Sequence, residues 1–236
     1  IKFLQTDHEE TKEVKVKVPN ISVVTALKNR SEALAVSLPS WLNKPEIKEI
    51  IIVDWSSKDY NLKLLEGLDP RIKVIPVKNQ KHFHIAKAYN LGFKYATENY
   101  IMKLDVDYVL NPYVPLSGLL NLDWESEFMT GLWSLRDKDN NIGFIEHLQG
   151  MICIKKELFE EAGGYNESFT GYGYEDTELY TILEKLGLHR KHINIGRNFV
   201  PVFHIPHDNY YRTQFYEEKN RATAHNKNKE LGIRDV

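Results

Sequence analysis

Cysteine is almost absent from this chain of 236 residues: Cys153 stands alone. That excludes an internal disulfide and any zinc site built on several thiolates, and it suits a reducing compartment, with the cytoplasm as the expected location. No apolar run approaches the roughly 20 residues needed to cross a bilayer, and residues 1–18 lack a signal-peptide pattern. A soluble chain is expected, and peripheral association with the inner face of a membrane is compatible with it. The chain starts at Ile1 rather than Met, which admits excision from a longer protein. Charge of one sign is missing too, since 31 Lys and Arg against 33 Asp and Glu leave a net charge of -2. A reader of phosphate backbones carries a basic excess, so nucleic acid is excluded as an expected partner.

What the chain does have, from Ile21 onward, is alternation of buried strands with amphipathic helices. Strands are expected at Ile21 to Thr25, Ile47 to Val53, Arg71 to Val77 and Tyr100 to Leu104, with helices at Ser31 to Leu42 and His84 to Glu98. Strands alternating with helices imply right-handed crossovers and a largely parallel α/β sheet. Beyond Asn111 the pattern is mixed, with strands at Phe128 to Trp133, Met151 to Ile154 and Asn198 to Phe203. Helices cover Lys156 to Ala162 and Asp176 to Leu186. Residues 1–20 read as an arm or edge strand, 21–209 as one domain with halves at about 21–110 and 111–209, and 210–236 as a polar segment, a peripheral helix or mobile.

In parallel sheets, ligands bind beyond the carboxyl ends of the strands, so the polar clusters there carry the interest. Asp105 and Asp107 follow an apolar strand, whose two-residue period would point both carboxylates to one side. Two like charges so placed suit a hard divalent cation bridging diphosphate oxygens, or else a solvated strand end. Glu175, Asp176 and Glu178 open a helix after a lead-in rich in glycine and tyrosine. They read either as ordinary capping of a helix dipole or as carboxylates beside Tyr172 and Tyr174, which could stack on sugar faces. The helix start should keep Asp176 ionised, and it places Glu178 about 200° around the helix, on a structural face. His204 and His207 flank Pro206; each is a metal ligand or a histidine stacked in a loop.

Five runs, in order, then carry a resemblance over Ile21 to about Asn209. They are Lys28-Asn-Arg30, Phe83-His-Ile-Ala-Lys-Ala-Tyr-Asn-Leu-Gly-Phe93, Leu104-Asp-Val-Asp107, Gly150 with the Met151 to Leu158 segment, and Gly173-Tyr-Glu-Asp176. Together they resemble a GT-A glycosyltransferase of family 2 or family 7, most like the β-1,4-galactosyltransferase group and its bacterial relatives. The resemblance implies a GT-A fold, with a Rossmann-like nucleotide-binding half and a mixed central sheet. It implies that Asp105 and Asp107 hold a UDP-sugar and its Mn²⁺ or Mg²⁺, with Asp107, His207 and His204 as metal ligands. Thr25, Lys28, Arg30 and Asp54 would line the nucleotide, flanked by Lys87 and Asn90. Asp176 would be the catalytic base and Glu175, with Tyr172 and Tyr174, would bind the acceptor. Two departures matter. Thr177 stands where those enzymes have a further Asp, and His147, beside Glu146, stands near their donor-selecting Tyr, so galactose is not implied as donor.

The implied activity is inverting, metal-dependent transfer of a hexose or N-acetylhexosamine from a UDP-sugar to a carbohydrate hydroxyl. One carboxylate takes the acceptor proton while the metal stabilises the leaving diphosphate. A non-catalytic carbohydrate-binding or scaffold module of the same fold is the alternative, opposed by the joint presence of Asp105, Asp107, Asp176 and His207. A sugar nucleotidyltransferase is set aside because Thr25 to Arg30 contains no glycine for a phosphate loop.

Overall fold

The computed structural model describes residues 19–131, 148–171, 173–193, 200–207 and 219–223. Four apolar, β-branched runs form the parallel half of the sheet: β1 (Ile21–Leu27), β2 (Ile47–Trp55), β3 (Ile72–Val77) and β4 (Tyr100–Lys103). Their order is β3-β2-β1-β4, and β1 pairs in parallel with both β2 and β4. The sheet continues through β7 (Ile152–Lys155), β6 (Glu127–Thr130) and β8 (His189–His192) to seven strands. β7 runs antiparallel to both β4 and β6 while β6 pairs in parallel with β8, so the sheet is largely parallel and mixed, as expected. A separate two-stranded pair joins β5 (Tyr108–Leu110) to β9 (Val202–His204), antiparallel.

Alternate residues of each strand feed two cores, as a pleated sheet buried on both faces requires. Val23, Ile50, Ile52 and Met102 meet Leu34, Leu38 and Trp41 of α1 (Ser31–Leu42). Val24, Ile51, Val53 and Ile101 meet Tyr89 and Phe93 of α2 (Ile85–Tyr95), Phe159 of α4 (Lys156–Glu161) and Leu179 and Leu183 of α5 (Glu175–Lys185). A short α3 (Leu116–Leu119) and a 3₁₀ turn (Leu62–Gly67) complete the described elements apart from 219–223. No helix among the described residues is long and apolar enough to cross a membrane.

Several boundaries differ from the sequence expectation for local reasons. α2 stops at Tyr95 because Ala96 turns extended, at φ -63° and ψ 132°, and it starts after His84, whose Nδ1 accepts from the Lys87 N–H at 3.4 Å. β5, β8, α3 and the 3₁₀ turn carry too short a pattern to be read in sequence. The tail is not wholly peripheral: residues 219–223 are helical and Asn220 is fully buried. The expected arm strand at Glu13 to Val18, Trp133, and residues 198–199 lie outside the described residues.

One helix-to-sheet contact is tight enough to test. A Cβ on Gly92 of α2 would fall inside van der Waals contact of Val24 Cγ1 and 3.0 Å from Val53 Cγ2. Both neighbours are buried β-branched side chains with little rotamer freedom. Gly92→Ala should therefore destabilise the fold by about 1–3 kcal/mol through overpacking, read as a lower urea midpoint at unchanged slope. A midpoint equal to that of the unsubstituted chain would mean that α2 can lift from the sheet without loss.

Candidate active site

The carboxyl ends of β1, β2 and β3 are followed by three non-glycine residues in the left-handed region: Asn29 (φ 55°), Ser56 (φ 61°) and Asn79 (φ 62°). Such conformations persist where the surroundings fix them, and here the three loops are tied together. Asn29 N–H donates to Ser57 Oγ at 3.0 Å and its Oδ1 accepts from Lys58 N–H at 2.8 Å. Ser56 Oγ donates to Val77 O at 2.6 Å and accepts from Gln80 N–H at 2.9 Å. Lys28 Nζ donates to the carbonyls of Trp55 and Gln80. Asp54 Oδ1 accepts from Ser57 N–H at 2.9 Å, shaping its own turn. Lys28 and Asp54 thus build the floor of this end of the sheet.

β4 ends at Lys103, and residues 106–107 form a turn in which Tyr108 N–H donates to Asp105 O at 2.9 Å. The strand period therefore lapses before Asp107, and the two carboxylates meet different partners. This corrects the expectation that both face one side. Asp107 Oδ2 lies 2.9 Å from Arg30 Nη2, 3.4 Å from His204 Nε2 and 3.3 Å from His207 Nε2. The β5–β9 pairing sets Tyr108 opposite His204, and Ile205 N–H donates to Asp107 O at 2.9 Å, so the far end of the chain is delivered to this turn. Burial works against the Asp107 charge, but the His204 hydrogen bond and the charges of Arg30, His204 and His207 prevail and hold its pKa below the usual carboxylate range.

Ligand atoms of Asp107, His204 and His207 all lie within 4.8 Å of one another. Asp107 Oδ1 is buried with no hydrogen-bond partner among the described residues, a costly arrangement that a cation would relieve. One carboxylate with two imidazoles is a donor set suited to Mn²⁺. The residues present therefore fit a divalent metal.

A second cluster stands beside the first. Lys103 is fully buried, its Nζ 2.8 Å from Asp176 Oδ1 and 3.8 Å from Asp105 Oδ1, above the rings of Tyr89 and Tyr165. Tyr89 Oη donates to Asp105 Oδ1 at 2.7 Å and Tyr165 Oη donates to Asp176 Oδ1 at 2.9 Å. Gly150 closes one side: a Cβ there would sit 2.7 Å from Asp105 Oδ2 and 3.4 Å from Asp176 Oδ2. Tyr180 Oη fixes that segment by donating to Gln149 O at 2.7 Å.

Sequence comparison decides the family once this geometry is in view. The profile of glycosyl transferase family 2 matches residues 22–141, about half of the chain. The chain belongs to glycosyl transferase family 2. A second profile, described as the N-terminal domain of galactosyltransferase, matches residues 134–208 of this family 2 chain. It is 29% identical over 178 residues to poly-β-1,6-N-acetyl-D-glucosamine synthase of Staphylococcus aureus strain COL, spanning 68% of this chain and 43% of that protein. It is 26% identical over 158 residues to β-1,4-galactosyltransferase 7 of Drosophila melanogaster, spanning 62% and 45%. The chain thus covers less than half the length of both relatives. In structure it is similar to GalNAc-T7 with UDP, GalNAc and Mn²⁺, with a TM-score of 0.60 over 80% of this chain and 44% of that one at 16% identity. The fold is GT-A.

Within this family 2 site, the residues singled out in the sequence are distributed unevenly. Asp105, Asp107, Arg30, Asp176, Glu175, His204 and His207 gather in the two adjoining clusters. The Asn90 amide bridges α2 to the loop that follows α4, donating to Tyr165 O at 2.8 Å and accepting from Tyr165 N–H at 2.8 Å. Lys87 is exposed, Thr25 is fully buried, Tyr174 is 36% exposed and Tyr172 lies outside the described residues, as do Glu146 and His147. Glu178 is buried and accepts from Asn166 Nδ2 at 3.0 Å, the structural role expected of it. Lys103, Tyr89 and Tyr165 were missed. The signal for Lys103 was available, since a lysine inside an apolar strand, two residues before Asp105, shares its face.

The helix-start expectation for Asp176 is corrected. Burial raises its pKa, and Asp105 adds to this, against the lowering by Lys103 and the Tyr165 hydrogen bond. Burial and then the Asp176 charge push Glu175 up to about 7, against the pull of Lys103. Glu175 Oε2 has no hydrogen-bond partner among the described residues. The folded Glu175 holds its proton more tightly than the unfolded one, so its stabilisation is full below the ordinary carboxylate pKa and is lost as pH rises to about 7. Relative to Glu175→Gln, the unsubstituted chain should therefore lose on the order of 3 kcal/mol of unfolding free energy between pH 4.5 and pH 7.5. Urea unfolding across this range checks it, and parallel pH curves for the two proteins would contradict the buried, protonated Glu175.

Proposed function

We propose that this chain is the catalytic part of a metal-dependent glycosyltransferase that moves a hexose or N-acetylhexosamine from a UDP-sugar to a carbohydrate hydroxyl, with inversion. The observation that carries the reading is the meeting of Asp107, His204 and His207 ligand atoms, with the other Asp107 carboxylate oxygen buried and without a hydrogen-bond partner among the described residues, next to a second carboxylate cluster. A relative named for a poly-N-acetylglucosamine synthase, another named as a galactosyltransferase and a structural neighbour holding UDP and Mn²⁺ support the substrate class.

A Mn²⁺ or Mg²⁺ held by Asp107, His204 and His207 would neutralise charge on the departing diphosphate. Arg30, already paired with Asp107, adds a fixed positive charge on the nucleotide side. Asp176 takes the proton of the attacking hydroxyl, and its raised pKa brings it nearer the working pH, where general bases are most effective. Lys103 and Tyr165 fix the Asp176 carboxylate through Oδ1, and the Oδ2 atom lies near Gly150, which has no side chain of its own to cover it. Glu175, which keeps its proton up to about pH 7, can in that form donate to an acceptor or sugar oxygen and orient it. Tyr174 offers an exposed ring at the entrance to α5 for a sugar face.

Two measurements test this reading. Asp107→Ala and His207→Ala should each abolish Mn²⁺-dependent UDP binding, followed by calorimetry, while the thermal transition without ligand stays cooperative; unchanged metal dependence in both would refute the assignment. With UDP-N-acetylglucosamine and UDP-galactose as donors and UDP release as readout, Asp176→Asn should lower turnover by about 100-fold or more with UDP affinity nearly unchanged. Glu178→Gln is the comparator and should stay close to the unsubstituted rate. A deeper loss in Glu178→Gln than in Asp176→Asn would move the base elsewhere.

A further inference from the structure

The loop that leads into α5 is held in an unfavourable backbone path by a residue from the C-terminal segment. Gly171 (φ 79°), Gly173 (φ 100°) and Tyr174 (φ 72°) all lie in the left-handed region. Glycine takes such angles freely, but Tyr174 does not, and it offers no side-chain cap to the helix it starts. Something outside the loop has to hold this path. Asn220 is fully buried, and its amide spans the loop: Oδ1 accepts from the Thr170 N–H at 3.1 Å and Nδ2 donates to Gly173 O at 3.0 Å. These bonds bracket the turn from both sides. The second one fixes the carbonyl two residues before Glu175 and three before Asp176.

We propose that Asn220 is a positioning residue for the acceptor side of the site, docking the C-terminal segment on the 170–174 loop so that Tyr174, Glu175 and Asp176 are presented to the incoming sugar. This rests on the reading of that loop as the acceptor surface. A primary amide is well suited to the task, because one planar group supplies a donor and an acceptor at fixed separation to two backbone groups. The Asn220 side chain is buried and the two bonds are partly sheltered from water, so losing either releases a partly buried backbone group of the loop. The segment is rich in Asn, Lys, Glu and Arg, and among its described residues, 219–223, the one buried side chain has both polar ends used.

The test compares the unsubstituted chain with Asn220→Ala and Asn220→Asp, first by hydrogen–deuterium exchange and then by kinetics with UDP-N-acetylglucosamine as donor and N-acetylglucosamine oligomers as acceptors. Asn220→Ala should speed exchange of the Thr170 amide about tenfold or more, the scale of one or two net hydrogen bonds, with β1 and β2 peptides unchanged. The acceptor KM should rise about tenfold while Mn²⁺-dependent UDP binding is unchanged, a split that general loss of stability does not produce. Asn220→Asp keeps the oxygen that faces Thr170 and loses the donor to Gly173, so Thr170 should remain better protected than in Asn220→Ala while the acceptor KM still rises. Thr170 exchange equal to that of the unsubstituted chain overturns the proposal, and so does a loosened loop with unchanged acceptor KM. If Tyr174→Ala also keeps its acceptor KM, the acceptor reading of the loop is what has failed, recognisable because the exchange difference at Thr170 persists.

Discussion

Three carboxylates, Asp105, Glu175 and Asp176, gather on one side of this site, and the fully buried ammonium of Lys103 is the constraint that lets them do so. Like charges converging away from water repel strongly, and burial penalises each ionised form. Burial by itself lowers the pKa of Lys103, but Asp176, Asp105 and Glu175 outweigh it and hold the ammonium above the ordinary lysine value. The ion pair to Asp176 joins β4 to α5 across 73 residues of chain, and the pair to Asp105 ties the same charge to the turn leaving β4. Removing the ammonium would leave the partly buried Asp176 and Asp105 without their shared cation, which is costlier than losing a surface pair. The tyrosines that frame it, Tyr89 and Tyr165, are themselves core residues of the α2–α5 layer. Site and core are therefore one construction on this face of the sheet.

The neighbouring cluster follows a different logic. Asp107 has three cationic or cationisable partners on one oxygen and, among the described residues, none on the other. Its arrangement is made possible by the small β5–β9 pair, which is separate from the main sheet and brings His204 back across the turn. Splitting Asp105 and Asp107 between two partner sets gives each carboxylate its own task. Asp105 faces the Lys103 and Asp176 cluster, and Asp107 faces the histidines.

Much of the nucleotide half was legible because its signals are local. The apolar run Ile50 to Val53 can only be a strand buried on both faces, and α1 was bounded correctly at Ser31 and Leu42 by its flanking turns. Asp105, Asp107, Asp176 and the two histidines were found as motifs, and they do converge. Motif matching was weaker where a polar side chain could serve the backbone. Asn90, Lys28 and Asp54 sit in runs that resemble a nucleotide site, yet their polar atoms hold loops together in this structure. In the tail, the described residues 219–223 form the expected largely exposed helix, and what composition did not show is that Asn220 within it is buried.

The sequence by itself determined the alternation of strands and helices and the identity of the charged residues at the strand ends, because these depend on period and spacing along the chain, and its motif runs carried the resemblance to the family. Only the tertiary structure decided which of those charges meet. Lys103 pairs with Asp176, Asp107 meets His204 and His207, and Asn220 spans the 170–174 loop, all across long stretches of chain. Burial, which sets whether a carboxylate such as Glu175 keeps its proton, is likewise a property of surroundings assembled from distant segments. No local pattern carries that information, because the dielectric and the partners exist only after the layers have packed.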